Sequence, residues 1–182
     1  FIFKKILNSN NIVFIIILIS STFLAFNEFF KIKNLKNINV KLINDELVIN
    51  DSYEEVSLYS SAYLLGEQGE YENSIEKYNT LLKLFPESSL IDSIYYNIGT
   101  VYLKDALTKP LSDDGKLTIE NFQKLQSSII AYEKALKLNP FNELAKFNLS
   151  ILYSSMPKEP SKVISEQAVQ ELSNIPIGLP WN

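Results

Sequence analysis

Three patterns follow one another along the chain: a long apolar run, a polar stretch, and a helical alternation that lasts almost to the end. Ile12 to Phe26 is apolar apart from Ser20, Ser21 and Thr22. As a helix this run covers about 22 Å, or about 28 Å if continued to Phe30, close to the ~30 Å hydrocarbon core of a bilayer. Lys4 and Lys5 precede it. A cleaved signal peptide has the same layout, but no Ala-x-Ala site follows, so an uncleaved single-pass anchor is expected. Residues 1–30 are assigned to this anchor and its flanks.

Residues 31–52 are rich in Asn, Lys and Ile, and Val40-Lys41-Leu42 and Leu47-Val48-Ile49 flank the polar Asn44-Asp45-Glu46. This pattern predicts a tether, or a weak hairpin around a polar turn. From Glu54 the apolar spacing becomes helical, with Leu58, Ala62 and Leu65 four and three residues apart. Gly69-Glu70-Tyr71 marks a turn. Ser74, Tyr78, Leu81 and Leu82 continue on a second helix, which Pro86 ends. Tyr95, Ile98, Gly99 and Tyr102 begin the pattern again. Its second half is expected at Ile119 to Asn139, with Ser128, Tyr132, Ala135 and Leu136 inward and Pro140 after it. Between them, Lys104 to Phe122 contains Lys109-Pro110-Leu111-Ser112-Asp113-Asp114-Gly115 and reads as an irregular insertion. A third first-helix is expected from Asn142 to Ser154. Val163 to Leu172 is a candidate last helix, and the Ile175-Pro176-Ile177-Gly178-Leu179-Pro180 tail is extended because Pro forbids a helix there.

A small residue between large ones in one helix, a small–aromatic–small spacing in the next and a closing Pro resemble the tetratricopeptide repeat of about 34 residues. The resemblance implies an all-α fold of about two and a half repeats, the second split by the insertion 104–122. The repeat domain spans 53–156, and 157–182 forms a carboxy-terminal segment and extended tail. So short a stack needs capping, from the tether, the tail or a partner.

Composition narrows the chemistry. Among 182 residues there are 17 basic and 21 acidic side chains, for a net charge of −4, and no basic tract, so nucleic acid is not an expected partner. There is no Cys and no His, which removes disulfides, thiolate or imidazole metal sites and the usual nucleophile–base pairs. The five glycines are scattered, with no phosphate loop. Asp113-Asp114-Gly115 looks like the opening of a calcium loop, but the bidentate Glu is missing. Glu67, Glu70, Glu72 and Glu76 read as a solvated acidic face. No catalytic residue, metal site or cofactor is expected, and the chain is not expected to be an enzyme.

Stacked repeats present a concave face made chiefly by first helices. The repeat positions put Tyr59, Tyr63 and Glu67 there from the first unit. Tyr96, Asn97, Thr100 and Lys104 come from the second, and Phe147, Asn148 and Ile151 from the third. Aromatic residues anchor interfaces, so these positions form a candidate partner groove. Alternatively, several of the rings pack between helices or under the carboxy-terminal segment. Of the basic-and-Asn clamp that some such repeats use for carboxyl-terminal peptides, only Asn97 and Asn148 match, so chaperone-tail binding is not expected.

The chain as a whole resembles the MxaK (MoxK) type of accessory protein encoded beside periplasmic quinoprotein methanol dehydrogenases. The likeness rests on the short amino-terminal span and on Gly69-Glu70-Tyr71-Glu72-Asn73-Ser74-Ile75. It extends to Tyr96 through Leu107, the insertion with Pro110 and Leu111, Ala131 through Pro140, Ala145 through Leu149, and Gly178-Leu179-Pro180. Trp181-Asn182 and the Asn/Ile/Lys-rich 31–52 stretch depart from that pattern. The resemblance implies an inner-membrane protein with a periplasmic repeat domain. Its implied partners are von Willebrand A-type membrane proteins, a MoxR-type ATPase and the dehydrogenase itself, whose metal insertion it would assist. A count of lysines on either side of the span favours the opposite orientation. The competing expectation is a permanent subunit of a larger membrane complex, such as an ATPase–von Willebrand assembly or a respiratory or oxygenase particle.

Overall fold

In the computed structural model, residues 9–44, 46–47, 54–108, 117–156, 170 and 174–178 are described. Among them lie six helices and no strand. The chain divides after Val40 into two compact units.

The first unit is built on α1 (Ser9–Ile43), a single helix of 35 residues. By length and composition it is the one helix among the described residues able to span a membrane. Ile12 through Phe30 are exposed on every side, as a lipid-facing helix requires. Two hydroxyls of the apolar run bond back to the helix's own carbonyls. Ser21 Oγ donates to the Leu18 carbonyl at 2.9 Å, and Thr22 Oγ1 reaches the carbonyls of Leu18 and Ile19 at 2.9 Å each. That self-pairing matters where no water can replace it. Phe30 packs on Phe26 at 4.6 Å and on Phe29 at 6.0 Å between centroids, an aromatic cluster closing the apolar run. The tether expected over 31–52 is helical as far as Ile43, and Val40-Lys41-Leu42 is helix rather than strand. Ile32, Leu35, Ile38 and Leu42 recur at three, three and four residues, and this helical period outweighs the Asn-rich composition. Val48 and Ile49 lie outside the described residues.

The second unit contains α2 (Glu54–Glu67), α3 (Tyr71–Leu84), α4 (Ile91–Thr108), α5 (Ile119–Leu138) and α6 (Glu143–Ser155). Each packs chiefly on its sequence neighbours, with the α4–α5 contact the most extensive. Local chemistry sets the boundaries. Gly69 holds φ +83° and ends α2, and the backbone N–H groups of Glu70 and Gly69 bond the carbonyls of Leu65 (2.8 Å) and Gly66 (3.3 Å). This is a Schellman closure, which requires the left-handed residue. Thr118 caps α5 by accepting the Asn121 N–H at 3.1 Å, and Asn142 caps α6 by accepting that of Ala145 at 2.9 Å. Each cap is worth about 1 kcal/mol.

Helix α4 runs to Thr108 and α5 starts at Ile119, so regular structure enters the 104–122 insertion from both ends. Asp105 and Lys124, both largely buried, pair at 2.6 Å across its base. Lys109 through Gly115, which carry the expected irregular loop, lie outside the described residues. So does the candidate helix 163–172 apart from Gln170.

The two hairpins α2–α3 and α4–α5 superimpose in chemistry position by position. Ser74 Oγ donates to the Ala62 carbonyl at 2.7 Å, and Ser128 Oγ to the Gly99 carbonyl at 2.7 Å. A small side chain on the second helix thus docks on the small residue of the first. Tyr59 meets Tyr78 at 5.6 Å between ring centroids, and Tyr96 meets Tyr132 at 5.6 Å. Both pairs lie within the separation favoured by aromatic contacts.

Candidate functional site

The small residues let the paired helices approach, and the tyrosine pairs then bring their hydroxyls together beneath one cleft. At each pair an Asn from the next first-helix completes a polar node. Asn97 Nδ2 lies 2.8 Å from the Tyr59 hydroxyl and 2.9 Å from that of Tyr78. Asn148 Nδ2 lies 3.2 Å from the Tyr96 hydroxyl and 3.3 Å from that of Tyr132. Thr100 Oγ1 adds a 2.9 Å bond to the Tyr132 hydroxyl. Asn97 and Asn148 are buried, at 0% and 2% exposure. A buried amide is tolerated only when its hydrogen bonds are made.

The cleft is not open. Residues 175–178 lie in it as an extended segment, with Ile175 and Ile177 buried at 4% exposure each. Asn97 grips Gly178 in both directions: Nδ2 donates to the Gly178 carbonyl at 2.8 Å, and Oδ1 accepts the Gly178 N–H at 2.7 Å. A primary amide carries a donor and an acceptor side by side, as a peptide group does. Asn97 therefore stands where a neighbouring strand would pair. Tyr59 donates to the Gly178 carbonyl at 3.3 Å, and Tyr96 donates to that of Pro176 at 3.1 Å. Gly178 fits because it has no Cβ. One built there would lie 2.9 Å from Tyr96 Cε1 and 3.0 Å from Asn97 Oδ1. Gly66 makes matching room for Ile177, whose Cδ1 would be 2.6 Å from a Cβ at position 66.

Burial keeps the phenols neutral. Desolvation pushes the hydroxyls of Tyr59, Tyr78, Tyr96 and Tyr132 above the usual tyrosine range, partly opposed by hydrogen bonds from Asn97, Thr100 and Asn148. At neutral pH they serve as hydrogen-bond partners rather than as acids or bases.

Of the positions singled out from sequence, Tyr59, Tyr96, Asn97, Thr100 and Asn148 come together in these nodes. Tyr63 is also buried. Lys104 and Ile151 are half-buried, and Ile151 packs on the core around Tyr96 and Tyr132. Phe147 is 61% exposed on α6. The sequence placed Tyr78 and Tyr132 in the core, and its alternative, that the rings pack under the carboxy-terminal segment, describes Tyr59 and Tyr96, which bond the main chain of 176–178. The signal that links them is the recurrence of Asn97 and Asn148 one residue after the first-helix aromatics Tyr96 and Phe147. The alternation of Ile175 and Ile177 is the matching signal in the tail. Elsewhere, Tyr95, Ile98, Tyr102, Ile130, Ala131 and Lys134 line a separate hollow of about 220 Å³.

No family model matches the chain, and no match is found among the curated proteins or among the solved structures.

Proposed function

We propose that the chain is a membrane-anchored tetratricopeptide-repeat adaptor, with no chemistry of its own, that works by holding other proteins. The observation that carries this is the two-way clamp of Asn97 on the main chain of Gly178. Two helical hairpins with matching Ser and Tyr positions, each completed by an Asn from the helix that follows, build a cleft fitted to an extended polypeptide. The same matching supports the repeat assignment.

The resemblance to MxaK-type proteins supplies the rest of the proposal. The domain faces the periplasm from the inner membrane and contacts von Willebrand A-type membrane proteins and a MoxR-type ATPase. There it assists metal insertion into a quinoprotein dehydrogenase. Deleting the coding region should lower the metal content and activity of that dehydrogenase without lowering its abundance, and an unchanged metal content refutes the assignment. A reporter fused after Asn182 reads the orientation.

A permanent structural subunit is the second reading. It draws on the exposed Phe141, Leu144 and Phe147 of α6 and the turn before it. Mild detergent extraction distinguishes the two: a subunit leaves the membrane in a fixed stoichiometry with its neighbours, an adaptor in a substoichiometric one.

A further inference from the structure

The two nodes share a tyrosine pair and an asparagine amide, but the tail uses them unequally. At the first, Gly178 supplies both a carbonyl and an N–H, and Asn97 pairs with both. At the second, the carbonyl of Pro176 receives the Tyr96 hydroxyl, as the carbonyl of Gly178 receives Tyr59. The N–H that would complete the pattern is missing, because residue 176 is a proline. Asn148, 2% exposed, donates through Nδ2 to the Tyr96 and Tyr132 hydroxyls, and its Oδ1, the counterpart of Asn97 Oδ1, has no N–H of residue 176 to accept. The segment is held through main-chain groups and two apolar side chains. That combination reads a class of sequence rather than one sequence.

We propose that the cleft is a peptide site for extended segments of the form apolar–X–apolar–Gly, and that residues 175–178 are its resident, displaceable occupant. The preferred ligand is a partner protein's segment with a residue other than proline at X, whose N–H pairs with Asn148. Glycine is required at the last position because Tyr96 and Asn97 close on it. The two apolar side chains fill the places of Ile175 and Ile177. In the resting chain the tail shields the polar floor of the cleft. Being tethered, it competes at an effective concentration in the millimolar range, so only a better-matched segment displaces it. The inference rests on the adaptor reading and names what the adaptor holds.

The test uses the full chain in detergent micelles, with a specific protease site placed between Pro160 and Ser161. Before the cut, a fluorescein-labelled peptide of residues 173–179 should not bind at micromolar concentration. After the cut it should exchange with the severed tail, read by anisotropy. A Gly178→Ala peptide should compete at least tenfold more weakly. Changing Pro176→Ala in the peptide alters its unbound freedom as well as adding an N–H, so the decisive quantity is a ratio. The Ala-to-Pro preference should be about fivefold larger for the chain with Asn148 than for the Asn148→Ala chain, the effect of one net hydrogen bond. Equal preferences overturn the role given to Asn148. A severed tail that never exchanges, or whose release abolishes the helical circular dichroism, overturns the proposal and makes the tail part of the core. Peptide exchange with no partner captured from the membrane would instead count against the adaptor reading and leave the site standing.

Discussion

Hairpins α2–α3 and α4–α5 repeat one design with different tolerances. Both pin their helices with a serine hydroxyl on a carbonyl, and both set a tyrosine pair at 5.6 Å. In the first, position 62 is Ala and the helices turn tightly through Gly69. In the second, position 99 is Gly, and a Cβ there would meet the Tyr132 ring at 2.8 Å. The second hairpin thus packs more closely at its midpoint even though its helices are joined by the longer connection. A long connection is tolerable because closure entropy grows slowly with length, and because Asp105 and Lys124 fasten its base. The repeat specifies the hydrogen bonds; the residue at the crossing sets how near the helices come.

The largest test of the shared design is alkaline pH. Buried tyrosines whose folded pKa exceeds the unfolded value of 10.0 keep their protons in the folded chain while the unfolded chain releases them. Stability is therefore full below about pH 10 and falls above it, by about 1.4 kcal/mol per pH unit for each such residue. With Tyr59, Tyr78, Tyr96 and Tyr132 together, the domain should unfold cooperatively above pH 10. Absorbance at 295 nm should rise in the same step as helicity is lost. Separate steps would mean the nodes are wetter than described. Replacing Tyr78→Phe or Tyr132→Phe should each flatten the slope by a similar amount if the hairpins are equivalent.

Next in size is the amide at each node. Asn97→Leu leaves the Gly178 N–H and the Tyr78 hydroxyl without their partner and removes one bond from Tyr59, and should cost about 3 kcal/mol in urea unfolding followed by circular dichroism. Asn148→Leu strands fewer groups and should cost about half as much. Equal losses would show that the tail adds nothing to the first node. At the helix crossings, Gly99→Ala should destabilise by about 2 kcal/mol through overpacking against Tyr132. The reverse change in the first hairpin, Ala62→Gly, should cost about 1 kcal/mol from helix propensity alone. The smallest effect concerns the second hairpin only. Asn121 is fully buried, and neither polar atom of its side-chain amide has a partner among the described residues. Asn121→Leu should therefore be neutral or raise stability by up to about 1 kcal/mol, seen as an unchanged or higher Tm.

The parts legible in the sequence are those fixed by neighbours within a few residues. The helical period, the breaks at Pro86 and Pro140 and the turn at Gly69 all depend on local sterics. The paired small residues Ala62 and Gly99 could be placed because they recur at one offset in each unit. Helix α1 beyond Phe30 was obscured because its Asn and Lys residues signal a linker while its isoleucines and leucines keep a helical spacing. The cleft was half legible: the facing residues could be named, yet what covers them depends on a contact between Asn97 and Gly178, 81 residues apart. No local pattern reports such a contact. A polar residue at a core position of a helix, as Asn97 and Asn148 are, is the trace it leaves.

That contact also sets an order of events. The hydroxyl of Tyr59 meets a carbonyl 119 residues downstream, so the cleft cannot be completed until residue 178 has been made. At ~5–20 residues per second of synthesis, Asn97 waits on the order of ten seconds for Gly178. Through that interval the first hairpins can fold while their polar floor stands uncovered. Every newly made molecule therefore passes through a state in which the site faces whatever extended segment is near, before its own tail arrives to claim it.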